Sequence, residues 1–169
     1  MNKKMFVMCG APGSGKSTWL EEKVIKNIYA KPATVVSRDK IRFSLVKEDE
    51  QYFSKENEVW EKFITQIKED LEKWSVEEVY VDATHLNIAS RSKLLRALGD
   101  SLKGVEVNAI WFDLPVETCL ERNENRKGTR AYVPRSAIRR MHCSMTEPQL
   151  EEGFNKVYII TEGGIRIHE

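Results

Sequence analysis

The segment Gly10-Ala-Pro-Gly13-Ser14-Gly15-Lys16-Ser17-Thr18 decides the fold, because it fits the pattern G-x-x-x-x-G-K-[ST] at every fixed position. It follows the apolar run Met5–Cys9, which is typical of a buried strand, and it precedes a stretch typical of a helix. Glycines placed between a strand and a helix let successive backbone N–H groups face an anion. The segment therefore predicts a phosphate-binding loop, called the P-loop below. An ordinary glycine turn, the alternative, would not require its lysine and serine.

The P-loop predicts ATP and Mg²⁺ as cofactors. Lys16 is expected to bridge the β- and γ-phosphates as a catalytic residue, and the Ser17 hydroxyl is expected to hold the metal. The residues expected to contact the nucleotide are Gly10, Ala11, Pro12, Gly13, Ser14, Gly15, Lys16, Ser17 and Thr18.

Length and composition predict one soluble domain over residues 1–169, with 41% hydrophobic and 31% charged residues. The apolar runs are of strand length and no signal-peptide pattern precedes the first strand, so no membrane segment is expected. Cys9, Cys119 and Cys143 lack the spacing of a zinc site, which predicts reduced thiols and a cytoplasmic protein. The sequence does not indicate which oligomeric state the protein has.

Charge is unevenly distributed along the chain. The net charge is +1, but residues 122–140 hold seven basic side chains and one acidic one, a net of +6 that leaves −5 for the rest. A cationic segment on an acidic body favours a local anionic target over general nucleic-acid binding. The alternative is a basic helix face exposed to solvent.

Strand-like and helix-like stretches alternate, which predicts a three-layer α/β/α fold around a mainly parallel, five-stranded sheet. The predicted strands are 5–9, 35–37, 79–81, 105–112 and 157–160. The predicted helices are 15–29, 39–47, 54–74, 87–101, 115–125 and 134–145. Apolar residues from Trp60 to Trp74 recur at spacings of three and four, which predicts a stripe facing the core. The tail predicts a hairpin at Gly163-Gly164.

Charged residues follow the second predicted strand, at the sheet edge where parallel strands form ligand sites. Asp39 can accept a proton from an attacking hydroxyl or orient it, so we expect it to contact the substrate. Arg42 lies three residues later on the same helical face and can bind a phosphate of the acceptor. In the alternative interpretation, Asp39 is the helix N-cap and pairs with Arg42. The two interpretations are compatible.

The third predicted strand ends in Asp82-Ala83-Thr84-His85 at the same edge. Asp82 resembles the acid that holds Mg²⁺ through water after such a strand, and a turn-forming aspartate is the equally weighted alternative. Thr84 and His85 are expected beside the substrate. No metal-ligand spacing surrounds His85, and no catalytic role is expected of it.

Arg122, Arg126 and Arg130 are four residues apart, which predicts that they share one helical face next to Gly128. We expect all three to bind ATP from a lid over residues 122–134. Such a lid would bring positive charge to the transferred phosphate and exclude water.

On these residues the chain resembles the kinase domain of the phage-type 5′-polynucleotide kinases, within the P-loop kinase superfamily. The resemblance spans roughly residues 4–145 and is carried by four blocks. The spacing within the fourth block is unusual among P-loop proteins. The four blocks are Gly10–Trp19; Arg38-Asp39 with Arg42; Asp82–Asn87; and Phe112–Pro115 with Arg122-Asn123, Arg126, Gly128-Thr129 and Val133-Pro134.

The resemblance implies a strand order of 2-3-1-4-5 and roles for individual side chains. It implies that Asp39 is the general base for a 5′-hydroxyl and that Arg42 binds the acceptor's 3′-phosphate. It also implies that Arg126 is the catalytic lid arginine and that Arg122 supports it. The chain departs from the family at two positions. Ala83, one residue after Asp82, stands where the family has an acid, and His85 stands where the family usually has asparagine.

The expected function is ATP-dependent transfer of the γ-phosphate to a hydroxyl, the 5′-hydroxyl of DNA or RNA, which makes a nucleic-acid 5′ end the expected partner. One alternative is a kinase for a nucleoside, antibiotic or sugar. Another is a nucleotide-binding module that hydrolyses ATP slowly and serves a partner protein. A base at Asp39 separates the two kinases from the module, because a module has no acceptor hydroxyl to deprotonate.

Overall fold

The computed structural model describes residues 3–27 and 30–169. Its strands are β1 (Lys4–Cys9), β2 (Ala33–Ser37), β3 (Glu78–Asp82), β4 (Glu106–Phe112), β5 (Lys156–Thr161) and β6 (Gly164–His168). Its α-helices are α1 (Lys16–Leu20), α2 (Arg38–Leu45), α3 (Glu56–Glu72), α4 (Ile88–Leu98), α5 (Val116–Glu124) and α6 (Arg135–Cys143). None of the helices described is long and apolar enough to cross a bilayer.

The six strands form one sheet in the order β2-β3-β1-β4-β5-β6. The first five strands are parallel, and β6 runs antiparallel to β5. The three-layer fold and the order 2-3-1-4-5 are therefore confirmed. The predicted tail hairpin supplies the sixth strand, which pairs Thr161 with Gly164.

The central strand β1 buries both of its faces. Met5, Val7 and Cys9 pack into a core shared with α3 and α4, while Phe6 and Met8 pack on the opposite face with Leu20 of α1. Strand side chains alternate between the two faces of a sheet, so helices on both sides require a continuous apolar run. The P-loop consequently leaves β1 at the centre of the sheet's carboxyl edge.

Several helix ends differ from the sequence predictions, those of the first and third predicted helices among them. The helix predicted over 15–29 is α-helical only to Leu20 and continues as a π-helical turn over Glu21–Ile25, and residues 28 and 29 lie outside the described part of the chain. Helix α3 ends at Glu72, so Trp74 does not face the core as predicted and is 88% exposed. The prediction of free thiols is confirmed for all three cysteines.

His85 lies inside the connection between β3 and α4. Its φ of 41° is in the left-handed region, where histidine is more frequent than most residues. Its ring is 6% exposed, stacks on Phe63 and bonds through Nδ1 to the Met8 carbonyl oxygen at 2.7 Å. The structure therefore corrects the expectation that His85 contacts the substrate, because the side chain fixes the loop from the inside.

A buried arginine holds the same connection. Arg91 is 0% exposed and donates to the carbonyl oxygens of His85 and Thr146. It also donates to both carboxylate oxygens of Glu152, at 2.7 and 2.8 Å. A bidentate pair with further hydrogen bonds offsets the cost of burying both charges. The loop that follows β3 is thereby fixed to the segment that follows α6.

The pH dependence of stability tests the burial of His85. Burial lowers the pKa of His85 to about 4, although its bond to Met8 opposes the shift. Because the unfolded chain binds this proton near pH 6.5, the stability contributed by the neutral ring is complete above pH 6.5 and is lost as the pH falls towards 4. We expect the free energy of unfolding to fall by about 2 kcal/mol more between pH 7 and pH 5 in the wild type than in His85→Asn. Urea unfolding at pH 7 and pH 5 measures the free energy of unfolding of both proteins. An equal loss of stability in the wild type and in His85→Asn would contradict the burial of a neutral His85 ring.

Candidate active site

The P-loop is shaped by two glycines with left-handed backbone. Gly13 has a φ of 80° and Gly15 a φ of 95°. A Cβ atom on Gly13 would lie 2.3 Å from the Cys119 carbonyl oxygen, and one on Gly15 would lie 2.8 Å from Nη1 of Arg122. Both positions therefore favour glycine for backbone conformation, and Gly13 also requires it for space because its neighbour is backbone, whereas the Arg122 side chain beside Gly15 can move. The loop is packed against α5, which carries the first lid arginine.

Lys16 places a buried ammonium group inside this loop. Its Nζ bonds to the carbonyl oxygens of Gly10 at 2.8 Å and Ala11 at 3.1 Å, and the residue is 8% exposed. Burial lowers the pKa of Lys16, Arg126 acts in the same direction, and Asp82 and Asp39 oppose them. The groups that influence Lys16 are thus the ones that the sequence predicts around the phosphates. A desolvated ammonium bound to neutral carbonyl oxygens fits the phosphate-binding role.

Asp82 lies next to Ser37 at the carboxyl edge, since the two residues are partners in the β2–β3 register. Burial raises the pKa of Asp82, while Lys16 and the Ser37 side chain lower it. Ser17 is exposed at the start of α1. Within residues 3–27 and 30–169, no group of three His, Cys, Asp or Glu side chains could hold a metal. One hydroxyl and one carboxylate fit Mg²⁺, which is bound through few protein ligands together with substrate phosphates.

Asp39 stands at the start of α2, where Ser37 is the N-cap and accepts a hydrogen bond from the Lys40 amide. The alternative that made Asp39 the cap is therefore wrong, and its other half, a pair with Arg42, is present. Oδ1 of Asp39 accepts from Nη1 of Arg42 and, at 2.7 Å, from the Tyr52 hydroxyl. The Asp39 side chain remains 62% exposed. It is a fixed carboxylate with an open face.

Arg42 is held by more protein groups than the pair with Asp39 that the sequence analysis considered, while its buried Nε has no hydrogen-bond partner in the described part of the chain. It is 4% exposed, donates to both carboxylate oxygens of Glu56 at 3.2 and 2.9 Å, and donates to the Tyr52 hydroxyl at 2.8 Å. Its guanidinium lies 4.4 Å from the centre of the Tyr52 ring. An acceptor phosphate would have to compete with these partners for Arg42.

The three lid arginines do not share one helical face, because α5 ends at Glu124 and only Arg122 lies on it. Arg122 donates from Nη1 to the Ser14 carbonyl oxygen at 3.1 Å. Arg126 lies close enough to Lys16 to lower its pKa. Arg130 instead donates to the Val46 carbonyl oxygen at 2.6 Å, at the end of α2. The expectation that Arg130 lies with the ATP-binding arginines is therefore corrected.

Asn123 closes the base of the lid. Its side chain is buried, accepts from the Val133 amide at 3.0 Å and donates to the Val133 carbonyl oxygen at 2.8 Å.

Part of the cationic segment, residues 122–140, is neutralised by ion pairs. Arg135 pairs with Glu124 and Arg139 pairs with Glu117, both at 3.2 Å.

Tyr52 and Glu56 are the site residues that the sequence analysis missed. They belong to a polar stretch, 47–58, without apolar periodicity or a motif. The acid at the first position of α3 was the one available signal, and it indicates helix capping as readily as a partner for arginine. Thr84 offers its carbonyl oxygen to the Gly10 amide at 2.8 Å, and its expected contact with substrate stays a prediction.

Solved structures share this fold at low identity. A chain of the Pnkp1/Rnl/Hen1 RNA repair complex is 22% identical over 85% of this chain and 44% of its own, with a TM-score of 0.62. Kti12 of Chaetomium thermophilum, in complex with ADP-AlF3, is 16% identical over 94% of this chain and 89% of its own, with a TM-score of 0.61. The tunicamycin resistance protein of Deinococcus radiodurans is 14% identical over 85% and 80%, with a TM-score of 0.57.

These similarities show the fold, and the chain spans less than half of the chains that it matches in the Pnkp1/Rnl/Hen1 structures, 39% and 44%. The P-loop and its buried lysine are the features of a nucleotide-binding P-loop domain. A family model described as an AAA domain matches residues 5–148. The chain therefore belongs to this P-loop family of AAA domains, AAA_33.

Proposed function

We propose that the protein is an ATP- and Mg²⁺-dependent kinase that transfers the γ-phosphate to the 5′-hydroxyl of a DNA or RNA strand. One observation carries the kinase assignment. The Asp39 carboxylate is 62% exposed, is held through one oxygen by Arg42 and Tyr52, and acts electrostatically on the P-loop lysine. A module that only binds nucleotide does not need a fixed, open carboxylate at this position.

The chain's own residues account for the transfer. Lys16 and the P-loop amides bind the phosphate oxygens, and Ser17 and Asp82, the latter through water, would hold Mg²⁺. The metal, when bound, neutralises phosphate charge. The second oxygen of Asp39 accepts the proton of the acceptor hydroxyl. The hydroxyl oxygen bonds to the γ-phosphorus as the bond from the γ-phosphorus to the oxygen shared with the β-phosphate breaks, so ADP leaves. Arg126 stabilises the charge on the transferred group.

A nucleic-acid acceptor is supported by the resemblance of residues 38–42 and 82–87 to the polynucleotide kinases and by the basic side chains of the lid. The fold is also shared with a chain of an RNA repair complex. A small-molecule kinase is the second candidate, and a specific observation favours it. Arg42, the expected ligand of the acceptor's phosphate, is already bound by Glu56, Asp39 and Tyr52. The fold is likewise shared with a tunicamycin resistance protein.

The acceptor can be tested by transfer of labelled γ-phosphate to DNA and RNA oligonucleotides with a 5′-hydroxyl, and to nucleosides with and without a 3′-phosphate. The Lys16→Ala variant serves as the blank. For a strand-specific enzyme we expect kcat/KM to be at least about tenfold higher with an oligonucleotide than with a nucleoside, the effect of one charged hydrogen bond to a further phosphate. Equal values would contradict the polynucleotide assignment and favour the small-molecule kinase.

Asp39→Asn should lower kcat by about 10²–10⁴-fold, because the amide cannot accept the acceptor's proton. The affinity for ATP should stay within about twofold, since Asp39 is on the acceptor side. Asp49→Asn, an exposed acid in the following loop, is the matched control for the loss of one negative charge. If ATP affinity and thermal stability fall together with kcat in Asp39→Asn, Asp39 has a structural role instead.

Arg126→Ala and Arg130→Ala should separate the two ends of the lid. Removing Arg126 should reduce kcat by about 10²–10³-fold, because it removes a charge directed at the transferred phosphate. Removing Arg130 should change kcat by less than about tenfold, while the loss of its bond to Val46 should cost about 1 kcal/mol of stability. Steady-state kinetics and urea unfolding of both variants measure this. Equal kinetic losses would contradict the division.

A further inference from the structure

Two consecutive aromatic side chains are exposed beside Asp39. Tyr52 is 41% exposed and Phe53 is 66% exposed, and Trp74 is the other exposed aromatic side chain among the Phe, Tyr and Trp residues of 3–27 and 30–169. Trp74 lies beyond the far end of α3, about 25 Å away by the length of that helix. Exposed aromatic surface is therefore concentrated at the acceptor side of the site.

Direct contacts join this pair to the candidate base. The Tyr52 hydroxyl donates to Oδ1 of Asp39 at 2.7 Å, and the Tyr52 and Phe53 rings stand edge to face with their centres 4.7 Å apart. Phe43 meets Tyr52 edge to face at 6.3 Å. These three residues, Phe43, Tyr52 and Phe53, are called the aromatic cluster below.

Arginines fix the cluster from beneath and from the lid. The guanidinium of Arg42 lies 4.4 Å from the centre of the Tyr52 ring and 5.6 Å from that of Phe53. The guanidinium of Arg130 lies 4.6 Å from the centre of the Phe43 ring. Cation–π contacts of this kind hold rings in place. Phe53 is thus supported from the protein side while most of its surface is open to solvent.

We propose that the aromatic cluster is a stacking subsite for the planar ring of the acceptor, and that in a nucleic acid this ring is the terminal base. The inference rests on the proposed function, because it takes Asp39 as the base for the acceptor hydroxyl. A nucleoside carries its base one pentose away from its 5′-hydroxyl, and the cluster begins one hydrogen bond away from the Asp39 carboxylate.

Stacking also fits the charges at this place. Arg42 is paired with both Asp39 and Glu56, so a first phosphate would compete with these two carboxylates for Arg42. Stacking on an aromatic side chain strengthens binding by roughly 5- to 100-fold per base and tolerates every base, because each has a π-face. The subsite therefore predicts an enzyme that requires a terminal base and discriminates little among bases.

Binding can be measured apart from turnover. The probe is a short DNA oligonucleotide with a 5′-hydroxyl and with 2-aminopurine as its terminal base, whose fluorescence is quenched by stacking. A second oligonucleotide with an abasic terminal residue, and free 2-aminopurine riboside, are titrated beside it. We expect quenching by the wild type, and an abasic strand that binds at least about fivefold more weakly. Quenching of the riboside to the same extent would identify a small-molecule acceptor as the source of the ring.

Three variants separate stacking from chemistry. Phe53→Leu keeps an apolar side chain but lacks a π-face, so it should weaken probe binding and raise the acceptor KM by roughly 5- to 100-fold, with kcat nearly unchanged. Tyr52→Phe keeps the ring but removes the donor to Asp39, so it should lower kcat and leave quenching intact. Trp74→Leu, the matched control at an exposed aromatic outside the site, should change neither quantity.

The outcomes keep the two proposals distinct. Transfer to the 5′-hydroxyl without dependence on a terminal base, or an unchanged Kd in Phe53→Leu, would overturn the subsite and leave the kinase assignment standing. Quenching that Phe53→Leu abolishes, without transfer to any acceptor, would support the subsite and overturn the proposed function. Absence of both quenching and transfer in the folded wild type would overturn both.

Discussion

The buried ammonium group of Lys16 organises the electrostatics of the candidate site. It is bonded to the carbonyl oxygens of Gly10 and Ala11, and burial lowers its pKa. A charge in this position is tolerated when anions complete its surroundings, and Asp82 and Asp39 supply that influence from the ends of β3 and β2. The parallel order of the sheet brings those strand ends to the P-loop. The charges around Lys16 are therefore a consequence of the sheet topology.

Close packing transmits this arrangement to the lid. The backbone of Gly13 approaches the Cys119 carbonyl so closely that no side chain fits between them, and Arg122 reaches the Ser14 carbonyl from the same helix. Helix α5 therefore takes its position from the P-loop itself. Asn123 closes the base of the lid through its two hydrogen bonds to Val133. Within the lid, Arg126 lies near enough to Lys16 to lower its pKa, and Arg130 bonds to Val46 at the end of α2.

The fold and the position of the P-loop could be predicted from sequence because their signals are local: a motif, apolar runs and strand ends. The side-chain partners could not, because they depend on where a helix stops. The spacing of Arg122, Arg126 and Arg130 continues past Glu124, where α5 ends, just as the apolar spacing continues to Trp74 beyond the end of α3. Tyr52 carried no signal, since a tyrosine in a polar loop acquires meaning only when tertiary structure brings it to Asp39.

The charges divide the candidate site into two unlike halves. Lys16, Arg122 and Arg126 make the nucleotide side cationic, in keeping with three phosphates. On the acceptor side, Arg38 and Arg42 face Asp39 and Glu56, so two positive and two negative groups cancel. Net charge therefore contributes little to acceptor recognition at this point, and a further phosphate gains less than it would from a free arginine. Under the proposed function, the acceptor is recognised through shape and through the exposed rings beside Asp39, and its negative charge acts farther out, on the lid.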